Sequence, residues 1–245
     1  MNPALAIALR TPEPGRLLRW GWWLPGVEST SQQVLDASRH WQLEARIALG
    51  ADRPLLVALG DSLAQGVGAY HPTMGHVGRL QAALSTEGAP QPVLNLSRSG
   101  ARIADVIDTQ LPALATVDQE AALVVCTVGS NDLVRSFRLR RTRRELRRLL
   151  TALPPGAVMA TVPDRGSLIA ARFNRSLRAA VADHPVELAD VAARLTTWRD
   201  RRAADRFHPN DLGYRLWVEA FEPFLPAVGD DDPAGAVSVN GQDAR

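Results

Sequence analysis

The stretch Leu55-Leu-Val-Ala-Leu-Gly-Asp-Ser-Leu63 is a short apolar run that ends abruptly at Gly60 and is followed by Asp61 and Ser62. Such a run is typical of a buried strand, so it places a hydroxyl group at the carboxyl end of that strand. Open α/β sheets bind their ligands at this edge, where the next helix also points backbone N–H groups at an anion. Ser62 is therefore a candidate nucleophile, although Gly-Asp-Ser is equally typical of a turn that caps a helix.

Strands and helices are predicted to alternate along the chain on both sides of this stretch. Apolar runs predict strands near 55–59, 92–96, 121–128, 157–162 and 185–189. Apolar residues at three- and four-residue steps predict helices over His76–Leu84, Ile103–Leu111, Leu139–Leu153, Leu168–Val181 and Asp211–Phe224. This alternation predicts an α/β fold with a parallel, doubly wound sheet.

A base for Ser62 is found near the other end of the chain, in Asp205-Arg-Phe-His208. A histidine accepts the proton of a serine only when its other ring nitrogen is held in the correct tautomer, usually by a carboxylate. Asp205 can hold His208 in this way, in a turn before a helix that Pro209 and Asn210 would start. The alternative interpretation is a solvated aspartate and a histidine near a helix start.

Donors for an oxyanion are predicted at two further strand ends. Gly100 follows the strand near 92–96, and the strand over 121–128 leads into Gly129-Ser-Asn131. Acyl transfer through a serine requires hydrogen-bond donors around the developing oxyanion, and a glycine N–H and an asparagine amide are suitable donors. Each residue could instead be an ordinary turn or cap residue.

In this order, the four segments resemble the motif blocks of the SGNH (GDSL-type) hydrolase family. The motifs are Gly-Asp-Ser-Leu at 60–63, Gly100, Gly-Ser-Asn-Asp at 129–132 and Asp-Arg-Phe-His at 205–208. Four matches in order are more specific than any one of them. The resemblance implies a flavodoxin-like three-layer α/β/α sandwich with a five-stranded parallel sheet.

The resemblance also implies a role for each residue of the motifs. Ser62 would be the nucleophile, His208 the general base and Asp205 the residue that orients His208. The oxyanion hole would consist of the backbone N–H groups of Ser62 and Gly100 and the side-chain amide of Asn131.

On this basis we expect a serine esterase that hydrolyses carboxylic esters, with a lipid, acyl or acetyl group, through an acyl-enzyme and without a cofactor. Two alternatives stay open. One is an acyltransferase that uses the same three residues, and the other is a catalytically idle module that binds a membrane or an anion. Arg98 and Ser99 stand where small or apolar residues are more familiar in the family, so the shape of the nearby pocket is not implied.

Composition agrees with a single enzyme domain and excludes several mechanisms. The chain has 245 residues, of which 46% are hydrophobic, so it can form one sizeable core. It contains no lysine, which excludes a Schiff-base lysine, a P-loop lysine and a Ser-Lys dyad. No sequence motif supports a metal or a dinucleotide. The single cysteine, Cys126, cannot form an intramolecular disulfide and is predicted to be a buried thiol.

The hydrolase domain is predicted over 51–228, between an N-terminal extension over 1–50 and a disordered tail over 229–245. The extension contains three tryptophans within 17–25, which can pack on the domain or lie at a membrane interface, and a weak helical pattern over 31–49. No apolar run is long enough to span a bilayer, and 4–9 is too short for a secretory signal. A cytoplasmic protein is predicted, with peripheral contact to a membrane as a further option.

Arginine is concentrated in the segment Arg135–Arg148, which contains eight arginines. On a helix, leucines of this segment form a core-facing stripe, so most of the arginines are predicted on the solvated side. This face could instead bind an anionic partner: an acidic membrane, a phosphate-bearing acyl carrier or an anionic substrate. Nucleic acid is disfavoured as a partner, because the segment lacks a series of aromatic residues on which bases could stack.

Overall fold

The computed structural model describes Ala6 and residues 27–135, 139–164 and 166–226. Five parallel strands form one sheet in the order β2-β1-β3-β4-β5. The strands are β1 Leu55–Gly60, β2 Val93–Asn95, β3 Ala121–Thr127, β4 Val158–Ala160 and β5 Glu187–Ala189. This is the strand order of flavodoxin-like sheets. The predicted five-stranded parallel sheet and the positions of all its strands are confirmed.

Helices follow the strands along the chain. They are α1 Val27–Ala48, α2 His76–Leu84, a composite α3 (Ile103–Asp105, the π-helical Val106–Gln110 and Leu111–Leu114), α4 Ser130–Arg135, α5 Leu139–Ala152, α6 Leu168–Val181, α7 Val191–Arg194 and α8 Asp211–Glu219. Short 3-10 turns occur at Pro72–Met74 and Glu222–Phe224.

Most predicted helices are found, and the exceptions have local causes. Helix α8 ends at Glu219, before the predicted end at Phe224, because Pro223 has no N–H to donate to the carbonyl oxygen of Glu219. The weak helix predicted over 31–49 begins earlier, at Val27. Helices α4 and α7 were not predicted, because they have only six and four residues and show too few apolar steps.

The core is divided between the two faces of the sheet, because side chains alternate along each strand. Leu55, Val57 and Leu59 of β1 belong to one hydrophobic cluster, and Leu56 and Ala58 belong to the other. Helices α5 and α6 cover the first cluster, whereas α2 and α8 cover the second. Helix α1 contributes to both. A helical layer on each face confirms the predicted three-layer sandwich.

Strand β1 lies in the middle of this core. All six of its residues are buried, and it pairs with β2 on one side and with β3 on the other. A strand enclosed on both faces is expected where two helical layers cover a parallel sheet, and it explains why the sequence of β1 is apolar without alternation. Ser62 therefore follows a strand that is fully buried and paired on both sides, which fixes the position of the strand's carboxyl end.

Two glycines shape the edge of the sheet where the predicted site residues lie. Gly60 ends β1 with a φ of +130°, and a Cβ atom there would collide with the carbonyl group of Thr127. Gly129 follows β3 with a φ of +124°, and a Cβ atom there would lie 2.9 Å from the ring of Phe173. Both positions therefore require glycine. The sharp turns that they permit direct the residues after β1 and β3 to the same edge.

Several predictions concern residues outside the described part of the chain. The tryptophan-rich segment over 17–25, the tail over 229–245 and residues 136–138 of the Arg135–Arg148 segment all lie there. The division into 1–50, 51–228 and 229–245 stays a prediction, as does the cytoplasmic location. Among the described helices, none combines the length and the apolar character that a membrane span requires.

Candidate active site

The structure brings Ser62, His208 and Asp205 into one hydrogen-bonded chain. The Oγ atom of Ser62 lies 2.8 Å from Nε2 of His208. The Nδ1 atom of the same ring lies 2.5 Å from Oδ2 of Asp205. Ser62 and His208 are each only 7% exposed, so this chain of contacts is largely shielded from water. The serine and the histidine are 146 positions apart in sequence and meet only through the fold.

The carboxylate of Asp205 is held by hydrogen bonds to both of its oxygen atoms. Oδ1 accepts from the backbone N–H groups of Phe207 (2.8 Å) and His208 (2.9 Å). Oδ2 accepts from the ring of His208 and from the hydroxyl of Thr30, at 3.1 Å. Burial alone would raise the pKa of Asp205, but the hydrogen bond and charge of His208, together with the two backbone donors, hold it well below its ordinary value. Asp205 is therefore ionised across the neutral pH range.

The loop that carries Asp205 and His208 has a conformation suited to this arrangement. Arg206, between them, has a φ of +54°, and the backbone folds back so that the aspartate reaches the two N–H groups after it. Gly68, in the turn after Ser62, packs directly on this loop, because a Cβ atom there would lie 2.6 Å from Cβ of His208. Close packing of the two loops fixes the distance between the serine and the histidine.

The predicted oxyanion donors lie at neighbouring strand ends. Gly100 is exposed and has a φ of +80°. The side-chain amide of Asn131 donates to the carbonyl oxygen of Ala101 at 3.0 Å and makes a long contact of 3.4 Å with Oδ2 of Asp61. Among the hydrogen bonds of the described residues, none engages the backbone N–H of Ser62 or of Gly100. Both N–H groups are therefore available to a ligand.

Comparison with known proteins assigns a family to this arrangement. Residues 58–216 match the model of the GDSL-like lipase/acylhydrolase family. The chain belongs to this family. It is therefore a GDSL-type serine hydrolase that acts on ester bonds.

Solved structures of this GDSL-type hydrolase's relatives share the fold. TesA is 25% identical, with a TM-score of 0.60 and coverage of 71% of this chain and 99% of TesA. The esterase EstA from Pseudoalteromonas sp. is 22% identical, with a TM-score of 0.56 and coverage of 70% and 96%. The acetylxylan esterase Axe2 from Geobacillus stearothermophilus is 18% identical, with a TM-score of 0.54 and coverage of 73% and 96%. A search among curated proteins gave no significant match.

Two buried glutamines support the hydrolase site, and sequence analysis missed both. Gln65 accepts hydrogen bonds from the N–H (3.1 Å) and hydroxyl (2.6 Å) of Ser99 and donates to the carbonyl oxygen of Ser97 at 3.0 Å. It thereby joins the turn after Ser62 to the loop that carries Gly100. Gln110 bonds both the N–H (2.7 Å) and the carbonyl oxygen (2.8 Å) of Gly60. No local pattern in the sequence distinguishes these glutamines from surface ones.

A small cavity of about 90 Å³ opens beside Gly100. Arg98 and Ser99, the residues that depart from the family pattern, line it together with Thr109 and Gln110. The cavity therefore combines a cationic side chain with hydroxyl and amide groups next to the predicted oxyanion hole.

Other titratable groups near the site belong to the core. His76 is fully buried, burial lowers its pKa to about 3, and its ring stacks on Trp217 and Phe221. Cys126 is buried as predicted, and burial raises the pKa of its thiol. In the part of the chain that the structure describes, no group of three His, Cys, Asp or Glu side chains could hold a metal ion.

Asp61 is a buried carboxyl group directly before the serine. Burial, reinforced by the nearby charge of Asp132, raises its pKa to about 7, although the N–H of Leu63 donates to Oδ1 at 2.9 Å and lowers it. In the unfolded chain the same carboxyl group ionises near its ordinary pKa of 3.8. Folding therefore favours the protonated form of Asp61 between about pH 4 and pH 7.

We expect the variant Asp61→Asn to gain stability relative to the wild type as the pH rises from about 4 to about 7. In this range the unfolded wild type releases a proton that the folded protein retains, so its free energy of unfolding falls, by at most about 1.4 kcal/mol per pH unit. Asparagine keeps the shape of the side chain and does not titrate. Urea unfolding across this range measures the difference, with the exposed Asp52→Asn as control. A difference that does not change with pH would contradict the prediction.

Proposed function

We propose that this hydrolase cleaves carboxylic esters through an acyl-enzyme, with Ser62 as nucleophile, His208 as general base and Asp205 as the residue that orients His208. The continuous hydrogen-bonded chain from Ser62 through both ring nitrogens of His208 to an ionised Asp205 supports this assignment. It is the arrangement that serine hydrolases on unrelated folds share.

The reaction follows from this geometry in two halves. Oγ of Ser62 attacks the ester carbonyl carbon while Nε2 of His208 accepts the hydroxyl proton, and Asp205 stabilises the resulting imidazolium. The tetrahedral oxyanion collapses, and the departing alcohol takes the proton from His208. Water then attacks the acyl group with His208 again as base, and the carboxylic acid leaves as the Ser62 hydroxyl is restored.

The oxyanion hole in this proposal consists of the N–H groups of Ser62 and Gly100 and the amide of Asn131. Three donors from three strand ends can surround one oxygen atom, and rigid donors stabilise a developing charge without reorganisation. The free N–H groups of Ser62 and Gly100 and the bond from Asn131 to Ala101, which fixes the amide, support these roles.

We expect Asn131→Ala to lower kcat by about 10²–10³-fold with little change in KM, because a lost oxyanion donor weakens binding of the transition state more than binding of the ester. Steady-state kinetics of the wild type and the variant test this. The neighbouring Ser130→Ala serves as the matched control. A kcat within a few-fold of the wild type would remove Asn131 from the oxyanion hole.

The experiment that tests the proposed function is hydrolysis of p-nitrophenyl esters from acetate to palmitate, with products analysed in the presence and absence of an added alcohol. The rates across this series measure which acyl lengths the site accepts. Release of free acid supports hydrolysis, whereas an ester of the added alcohol as main product would favour the acyltransferase. No turnover and no labelling by a fluorophosphonate would favour the idle binding module.

The arginine-rich face is a second functional feature. The described arginines of α5 and those of α6 are exposed: Arg140, Arg141, Arg143, Arg144, Arg147, Arg148, Arg172, Arg175 and Arg178. Glu145, the one acidic residue of the two helices, bonds Arg148 at 2.7 Å, and Arg178 is paired with Asp190 at 2.8 Å. A groove between the helices is lined by Arg143, Arg147 and Arg175, with Asp183 as its one acidic lining residue. We propose that this face binds the anionic headgroups of a membrane.

Vesicle sedimentation tests this surface. We expect binding to vesicles that contain phosphatidylserine, weakening with added salt, and loss of binding when Arg143, Arg147 and Arg175 are changed to glutamate. The matched control changes three exposed arginines on other elements to glutamate: Arg46, Arg194 and Arg215. Equal loss in both triple variants would show a general charge effect and contradict a specific face.

A further inference from the structure

We infer that Thr30, on helix α1, is a positioning residue for the acid of the proposed triad. Its Oγ1 atom lies 3.1 Å from Oδ2 of Asp205, and its side chain is buried at 7% exposure. Thr30 lies 175 positions before Asp205 and outside the residues 58–216 that match the family. The hydroxyl therefore comes from a part of the chain that the family match does not include.

The contact acts on the oxygen atom that also faces His208. Oδ1 of Asp205 is fixed by two backbone N–H groups, whereas Oδ2 accepts from His208 and Thr30. A hydroxyl that donates to a shielded carboxylate stabilises its charged form and restricts its rotation. Thr30 thus fixes the direction from which Oδ2 meets Nδ1 of His208.

Helix α1 is itself fixed against the turn that carries the nucleophile. The indole N–H of Trp41 donates to the carbonyl oxygen of Gln65 at 3.0 Å, and Trp41 is 1% exposed. The side-chain oxygen of Gln33 accepts from the N–H of Gly68 at 3.2 Å. Helix α1 therefore contacts both the turn after Ser62 and the side chain of Asp205. These contacts fix the position of the turn relative to Asp205.

The inference rests on the proposed function. Its test distinguishes the effect of losing the Thr30 hydroxyl from the effect of changing the volume of the side chain. We expect Thr30→Val, which keeps the volume, to lower kcat by about tenfold with KM unchanged, the loss that corresponds to one charge-assisted hydrogen bond. Thr30→Ser should restore most of the rate, because it keeps the hydroxyl. Ser38→Ala is the matched control: it removes a buried hydroxyl of α1 that has no hydrogen-bond partner among the described residues.

A second readout does not depend on ester turnover. This readout is the proton NMR resonance of the proton on Nδ1 of His208, which is assigned by its loss in His208→Gln. We expect its chemical shift to change in Thr30→Val and to stay the same in Ser38→Ala. An unchanged kcat and an unchanged resonance in Thr30→Val would overturn the inference, as would equal losses of kcat in the valine and serine variants. If the wild type hydrolyses no ester, the proposed function fails, while the resonance still decides the role of Thr30.

Discussion

Replacing Ser62 with alanine is expected to lower kcat for ester hydrolysis by at least about 10⁴-fold. The change removes the Oγ atom that lies 2.8 Å from His208 and leaves the backbone N–H in place. Residual activity would then come from the oxyanion donors and from substrate binding alone. The fold should persist, because the lost hydrogen bond contributes only about 1 kcal/mol to stability. Steady-state kinetics and circular dichroism of the two proteins provide the measurement.

The double variant Ser62→Ala/His208→Ala adds a sharper test of the same prediction. Ser62 and His208 act in the same step, so His208 contributes little to the rate once Ser62 is absent. The kcat of the double variant should therefore be about as low as that of Ser62→Ala alone. A fluorophosphonate should label the wild type at Ser62 and leave Ser62→Ala unlabelled. A folded Ser62→Ala protein with a kcat near that of the wild type would exclude this serine as the nucleophile.

The sheet could be predicted because its signals are local. An apolar run that ends at glycine, as at Leu55–Gly60, indicates a buried strand and its carboxyl end, and the same signal recurs before Gly129. The prediction of Ser62, Asp205 and His208 depended on motifs in order, and the structure places these side chains in contact. Their catalytic roles stay a prediction.

The supporting contacts could not be predicted because they join residues far apart in sequence. Gln110 meets Gly60 across 50 positions, Gln65 meets Ser99 across 34, and Thr30 meets Asp205 across 175. A buried glutamine or threonine has no periodicity that distinguishes it from an exposed one. Helix α4 was missed for a local reason, since Gly129-Ser-Asn-Asp has the composition of a turn.

The variant Asp205→Asn is expected to lower kcat by about 10³–10⁴-fold although it changes one atom. Oδ1 of Asp205 accepts two backbone N–H groups, so the carbonyl oxygen of an asparagine would occupy that position. Its NH₂ group would then face Nδ1 of His208. An NH₂ donor forces Nδ1 to accept, which moves the ring proton to Nε2 and leaves no lone pair there for the proton of Ser62.

This arrangement predicts which properties of Asp205→Asn change and which do not. KM and the Kd of a non-covalent substrate analogue should stay near the wild-type values, because the substrate does not touch Asp205 in the proposed mechanism. The proton of His208 should disappear from Nδ1 and appear on Nε2 in the NMR spectrum of ¹⁵N-histidine-labelled protein. Asp200→Asn, an exposed aspartate near the same loop, is the matched control. A rate near that of the wild type with the proton still on Nδ1 would show that the loop, and not the carboxylate, sets the tautomer of His208.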